Sequence, residues 1–199
     1  MADTAEPPDE RLASEAAAGS LDAFNQIVDR YQVIVFSVSF HLLGDRQAAE
    51  DATQETFLSA YRAIHGFTGS NLRSWLLRIA ANASKDELRR RRRKGGAMSL
   101  DEARGEGDVP LDPPDTGETP EARVQRLALA AELQRALDTL PFDQRQVIVL
   151  VDVHGFGYEE VASLTHTSVG TVKSRIHRGR ERLRRVLTAT GTNSPGAAL

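Results

Sequence analysis

The sequence predicts an all-α fold: two small helical domains joined by a flexible acidic linker, the C-terminal one ending in a short helix, a tight turn and a long basic helix. Three observations carry this. Apolar residues recur at i, i+3, i+4 spacing through most of 20–94 and 121–187. Strand signals are scarce, and the one β-branched run, 147–151, has helical flanks. Between 95 and 120 the periodicity stops, and Pro, Gly and acidic residues take over, which reads as a linker. The Ala/Pro-rich acidic stretch 1–19 and the small, polar stretch 188–199 are expected as disordered tails.

Taken in order, Ser20 and Asp22 are N-cap candidates for a first helix whose apolar stripe is Phe24, Ile27, Val28, Tyr31, Ile34, Val35 and Val38. Gly44 and Asp45 end it and open a second helix over 48–65. A Gly/Ser/Thr/Asn-rich turn, 66–71, leads into a third helix from about Leu72 through the Arg run. After the linker a helix resumes at Glu121 and stops at Leu140-Pro141. Another covers 142–153, closed by His154-Gly155. Two further segments, 158–164 and 169–187, complete the chain.

Composition narrows the function classes. With 40% hydrophobic residues but only 6% aromatic, the 199-residue chain favours aliphatic helix packing. Cysteine is absent, which excludes a disulfide framework and a thiolate metal site. No apolar run nears the roughly 18 residues of a membrane span, and the N-terminus does not resemble a signal peptide. The expectation is a cytoplasmic protein without membrane insertion. The net charge of −3 hides segments of opposite sign. Stretch 70–94 holds nine Lys/Arg against two acids, 171–185 seven against one, and 95–121 eight acids against one Arg. The two basic stretches are candidate phosphate contacts.

The C-terminal segments have helix-turn-helix proportions. Val161, Ala162, Val169, Val172 and Ile176 would pack the two helices together. Thr171, Lys173, Ser174, Arg175, His177 and Arg178 then form the candidate DNA-binding set on the second helix, with Thr171, Ser174 and Arg178 on one stripe. Arg reads guanine bidentately, and Ser, Lys and His can donate to base edges. Arg180, Arg182, Arg184 and Arg185 suit phosphates. A solvated Arg-rich helix is the bland alternative. The turn Thr165-His166-Thr167-Ser168 lacks a glycine, so His166 is the residue placed to take a positive φ.

In the N-terminal half, Asp51, Gln54 and Glu55 share one helix face, with Phe57 and Leu58 beside them. Such a stripe can be solvent-facing, catalytic or a protein-docking face. The third helix interleaves Arg73, Trp75, Arg78, Asn82, Lys85 and Asp86, preceded by Asn71 in the turn. Aromatic, basic and amide groups so mixed can stack on unpaired bases and follow a backbone, although Trp75 alone is more often a core residue.

Two blocks resemble a known family. The first is Ala49-Glu50-Asp51-Ala52-Thr53-Gln54-Glu55-Thr56-Phe57, followed by Trp75-Leu76-Leu77-Arg78-Ile79-Ala80-Ala81-Asn82 and the Arg run. The second is Leu140-Pro141, then Tyr158-Glu159-Glu160-Val161-Ala162 and Val169-Gly170-Thr171-Val172-Lys173-Ser174-Arg175. In this order they resemble the extracytoplasmic-function (ECF) sigma factors of bacteria. The resemblance implies a region 2 domain over 20–94 and a region 4 domain over 121–187. Asp51, Gln54 and Glu55, with Phe57 and Leu58, match the part that docks on core RNA polymerase at its β′ clamp. The 66–71 loop with Asn82 and Asp86 matches the part that captures a flipped base of the −10 element. Lys173, Ser174, His177 and Arg178 match positions reading the −35 element. The turn at 165–168 departs from the usual Leu-Gly-Ile-Pro type, so promoter preference transfers least. The implied partners are core RNA polymerase, through its β′ clamp and β subunit, promoter DNA and an anti-sigma factor.

Two other readings compete. A free-standing helix-turn-helix regulator leaves the first block unused. A metal hydrolase built on Asp51 and Glu55 lacks nearby His and any Gly-rich phosphate loop. No catalytic residue, metal site or cofactor is therefore expected.

Overall fold

The structure is a computed structural model that describes residues 6–69, 71–94 and 119–189. Eight α-helices form among them, and no strand: α1 (Asp9–Ala17), α2 (Leu21–Leu43), α3 (Arg46–Ala63), α4 (Leu72–Lys94), α5 (Pro120–Asp138), α6 (Phe142–Ile148), α7 (Tyr158–Thr165) and α8 (Val169–Ala189). A 3-10 turn, Ile64–Gly66, follows α3, and a π-helical turn, Val149–Val153, extends α6. The linker expected over 95–120 falls almost wholly outside the described residues; only Thr119 and Pro120 are seen, as N-cap and first residue of α5. The expected C-terminal tail is described only as far as Ala189, where α8 ends.

Local chemistry sets the helix bounds. Ser20 Oγ accepts from the Ala23 N–H at the start of α2, and Gly44, at φ 69°, ends it with its N–H on Phe40 O. A left-handed terminating residue costs least when it is glycine. Asp45 caps α3 by accepting from Ala48 N, and Asn71 Oδ1 caps α4 by accepting from Ser74 N at 2.8 Å. Both devices satisfy donors that the first helical turn leaves without partners.

Stretch 9–17, expected as part of a disordered tail, is instead α1. Its Leu12, Ala13 and Ala16 are buried against α2. A nine-residue helix is marginal alone and is held here by tertiary contact. Asp9 accepts from the Tyr31 hydroxyl and, at 2.6 Å, from the Arg30 guanidinium.

Helices α2, α3 and α4 pack on one another, with α1 across them. In the C-terminal half α8 packs on α6 and α7. The closest approach there is Gly179, where an added Cβ would lie 2.9 Å from Ile148 Cγ1. The glycine in α8 is thus a packing requirement, and a side chain would force the helices apart. The turn between α7 and α8 places His166 at φ 52° and ψ 44°. One apolar cluster runs through both halves, joining Val35, Val38 and Leu42 of α2 with Leu137, Leu140 and Val147 of the C-terminal half.

Candidate nucleic-acid interface

Helix α8 presents an outer row. Lys173, Ser174, His177 and Arg178 are exposed. Arg178 is steadied by a bond from its Nε to Ser174 O at 3.2 Å, and Lys173 Nζ lies 6.0 Å from the Tyr158 ring centroid. Thr171 is half-buried, its N–H donating to Ser168 Oγ at 3.1 Å, so it closes the turn at the head of the row. Arg175 departs from the expected set. One residue past Ser174, and so about 100° round the helix from it, it points to α6 and donates to Asp143 Oδ2 at 3.1 Å. Arg180 is likewise taken, bound to both oxygens of Asp152 at 3.1 and 2.5 Å. Arg182, Arg184 and Arg185 remain exposed.

Between α3 and α4 runs a groove of about 650 Å³. Asp51, Gln54, Glu55 and Leu58 line one wall, and Asn82, Asp86, Arg90 and Arg93 the other. Leu58 is 52% exposed, a large apolar side chain standing in a polar rim. Phe57 does not belong to this face: it is 8% exposed and sits in the core, because one residue along the helix turns the side chain by about 100°.

The residues expected along α4 and at its N-cap separate into four groups. Asn82 and Asp86 share the groove with the carboxylate stripe. Lys85 leans toward the C-terminal half, 3.8 Å from Asp143 and with its ammonium 5.7 Å from the Phe142 ring centroid. Asn71 and Arg73, with Ser74, meet the helix-turn-helix itself. Glu160 of α7 accepts from Asn71 Nδ2 at 3.0 Å and from Ser74 Oγ at 2.6 Å. Arg73 donates to His154 O at 3.3 Å and lays its guanidinium 4.2 Å from the Phe156 ring centroid. Trp75 is half-buried and packs on Phe67 at 5.0 Å between centroids, and Arg78 is half-buried beside it in sequence.

A second contact ties the halves at the end of α2. Arg145, in the apolar run of α6, is buried and donates to Leu42 O at 2.7 Å, Asp138 O at 2.8 Å and Leu140 O at 3.3 Å. It also pairs with Asp138 Oδ1 at 3.1 Å. One guanidinium therefore satisfies carbonyls at the C-termini of α2 and α5, where helix ends carry negative partial charge. Gly44 lets Asp138 come close: a Cβ there would lie 2.7 Å from the carboxylate. Nearby, His41 Nδ1 and Gln134 Oε1 are 2.9 Å apart.

Sequence reasoning missed Arg145, Glu160, His41 and Gly179. Arg145 left a signal, a lone cation at a position where the helical stripe calls for an apolar residue. The others left none, because each acts on a partner about 30 or more residues away.

Comparison with known proteins matches this architecture. Residues 27–94 match the family description "Sigma-70 region 2", and residues 130–183 match "Sigma-70, region 4". The two helical halves are thus those of a sigma factor, the class of protein that directs RNA polymerase to promoters. The relatives narrow this further. The chain is 34% identical to the ECF RNA polymerase sigma factor SigE of Mycolicibacterium smegmatis, over 98% of this chain and 76% of the relative. It is 35% identical to the ECF RNA polymerase sigma factor SigW of Bacillus subtilis, over 85% and 91%. Among solved structures, CnrH in complex with the cytosolic domain of CnrY superposes with TM-score 0.66 at 28% identity, covering 91% of this chain and 97% of that one. The sigma factor RpoE of Bartonella quintana, in complex with the anti-sigma factor NepR, gives 0.65 at 27%, covering 84% and 98%. The chain belongs to the ECF sigma factors, and it is an alternative sigma factor for promoter-specific transcription.

Proposed function

We propose that the two halves divide the work of initiation, with α8 reading the −35 element as duplex and the α3–α4 face docking core RNA polymerase and capturing the −10 element. The exposed row Lys173, Ser174, His177 and Arg178 carries the first assignment. It is a set of donors on one helix face, free of carboxylate partners among the described residues except for His177, which lies 4.0 Å from Glu181. Arg182, Arg184 and Arg185 on the same helix supply phosphate contacts. Asp51, Gln54, Glu55 and Leu58 form the docking wall for the β′ clamp. A half-exposed leucine ringed by polar groups fits an interface whose apolar centre is surrounded by a polar rim. Asn82 and Asp86 lie across the same groove, so DNA opened there would run beside the docked polymerase. Asn71 and Arg73 contribute to the −10 side once Glu160 leaves the first and His154 and Phe156 leave the second.

The protein acts by binding, with no covalent step of its own. It works in the cytoplasm, where core polymerase and promoter DNA are; among the described residues no helix is long and apolar enough to cross a membrane. An anti-sigma factor is the further partner, in keeping with the solved complexes of CnrH with CnrY and of RpoE with NepR.

Promoter spanning demands a change of shape. Elements about 25 base pairs apart are separated by roughly 85 Å, while a compact chain of this length has a radius of gyration of about 16 Å. The two halves must separate on polymerase. Run-off transcription with purified core polymerase over a promoter library tests the assignment. The expected result is a defined set of promoters, lost in Lys173→Ala/Arg178→Ala through −35 binding and in Asp51→Ala/Glu55→Ala through core binding. Promoter choice unchanged in both double variants would refute it.

A further inference from the structure

Two histidines meet where the halves join. His41 lies near the end of α2, and His154 closes the π-helical turn; their ring centroids are 6.3 Å apart. The surrounding bonds orient one ring and leave a nitrogen of the other unpaired. Gln134 Nε2 donates to Asp138 Oδ1 at 3.1 Å and to His41 O at 3.4 Å, so its Oε1 faces His41 Nδ1 and accepts that ring's proton. His154 Nε2 is buried with no hydrogen-bond partner. An unpaired ring nitrogen is tolerable as a neutral acceptor, whereas an imidazolium would carry an unsatisfied N–H and a charge out of water.

Among the described residues the charged groups around the pair give His154 no counter-ion, and only Asp138 favours a charged His41. From α4 comes Arg73, bound to the His154 carbonyl itself. From α6 comes Arg145, and from α5 Asp138, already bonded to that guanidinium; Arg92 of α4 acts on Arg145 from farther off. In the π-helical turn Asp152 is held by Arg180, and in α7 Glu160 is held by Asn71 and Ser74. Arg73 and a second imidazole thus bear on His154, while Asp152 and Glu160 are committed elsewhere.

We propose that the His41–His154 pair is a proton-operated latch: neutral, it lets the two halves close, and protonated, it drives them apart. The latch is a property of the free chain. That its release frees Asn71 and Arg73 for DNA rests on the functional reading above.

The sign follows from the environment. Burial, then His41, then Arg73 push His154 down from 6.5 to about 4 in the closed form. His41 is also lowered, by burial, against the opposing effects of Gln134 and Asp138. In the open form both rings return to ordinary histidine values. Closure is therefore intact above about pH 6.5 and weakens as pH falls toward 4. Allowing for partial solvent screening, the open-to-closed ratio should rise on the order of tenfold between pH 7.5 and 5.

The chain contains no cysteine, so Arg62→Cys and Arg135→Cys, both exposed and on opposite halves, place a unique fluorophore pair. The expected result is a growing inter-label distance between pH 7.5 and 5 with helicity unchanged by circular dichroism. The response should flatten in His154→Phe, which keeps a ring without its proton, and in His154→Gln as a second background. Imidazole proton resonances of the full chain should show a histidine titrating well below 6.5 that moves up in an Arg73→Met variant. A constant distance across the window, a distance change that tracks loss of helix, an equal response in either His154 variant, or His41 and His154 both titrating near 6.5 at closure would each overturn the latch.

Discussion

Helices α4 and α8 are both long and arginine-rich, yet the protein holds them in opposite states. The outer row of α8 stands in solvent. The N-terminal end of α4 is covered by the other half: Glu160 occupies Asn71 and Ser74, and Arg73 lies on His154 and Phe156. Charge count does not distinguish the two helices. What distinguishes them is the partner each cation already has. In the closed form the row proposed to read the −35 element is presented, and one end of the surface proposed for the −10 element is screened by the same domain that carries that row. On the proposed reading, the Glu160 carboxylate stands where a DNA phosphate would approach, and it has to leave before DNA can enter.

The sharpest way to break this comparison is to separate core from face on adjacent residues. Phe57→Ala should cost about 3–5 kcal/mol in denaturant unfolding, as for other buried aromatics. Leu58→Ala, one residue on, should leave unfolding nearly unchanged and weaken core polymerase binding instead. Equal stability losses in both would mean that the docking wall is misplaced.

On α8 the same division falls between Arg178 and Arg175. Arg178→Ala should lower −35 duplex affinity roughly 10- to 100-fold, the loss of one base-reading contact, with little change in stability. Arg175→Ala should instead remove a partly exposed ion pair with Asp143, costing up to about 1 kcal/mol of stability, with a smaller effect on DNA. Fluorescence anisotropy on a −35 duplex, paired with thermal melts, reads both effects, and a reversed order would exchange their roles.

The smallest effect belongs to the screen on α4. Glu160→Gln keeps the shape and removes the charge, so its bonds to Asn71 and Ser74 weaken to neutral strength. Binding of single-stranded −10 DNA to the holoenzyme should be unchanged, because the halves are already apart there. Weak binding by the free chain should rise a few-fold, at about 0.5–1 kcal/mol for the charge-assisted part. No change in the free chain would remove Glu160 from the screen.

Much of this was legible in the sequence, for a physical reason: helices announce themselves locally. Ser20, Gly44 and Asp45 mark ends that the structure keeps, and the apolar stripe of α2 lies in the core as its spacing requires. His166 takes the positive φ expected of the turn residue best able to bear it. Helix α1 was hidden because its three buried residues are too few to signal above an Ala/Glu-rich background. The site was legible as types on faces and misjudged where a side chain's direction depends on a distant partner. Phe57 shares a helix with the stripe but not its face, and Arg175 answers to Asp143, 32 residues away. The joint between the halves was legible only as the lone cation Arg145 in an apolar stripe, since Glu160 and the two histidines act only after both halves have folded.

The central claim is that one seam closes the free protein and must open on polymerase. The inter-label distance between positions 62 and 135 tests it directly, measured in the free chain at pH 7.5, after adding core polymerase, and after adding promoter DNA. The expected result is a short distance in the free chain, a large increase on binding core, and little further change with DNA. A distance that stays short in a holoenzyme active in run-off transcription would contradict it.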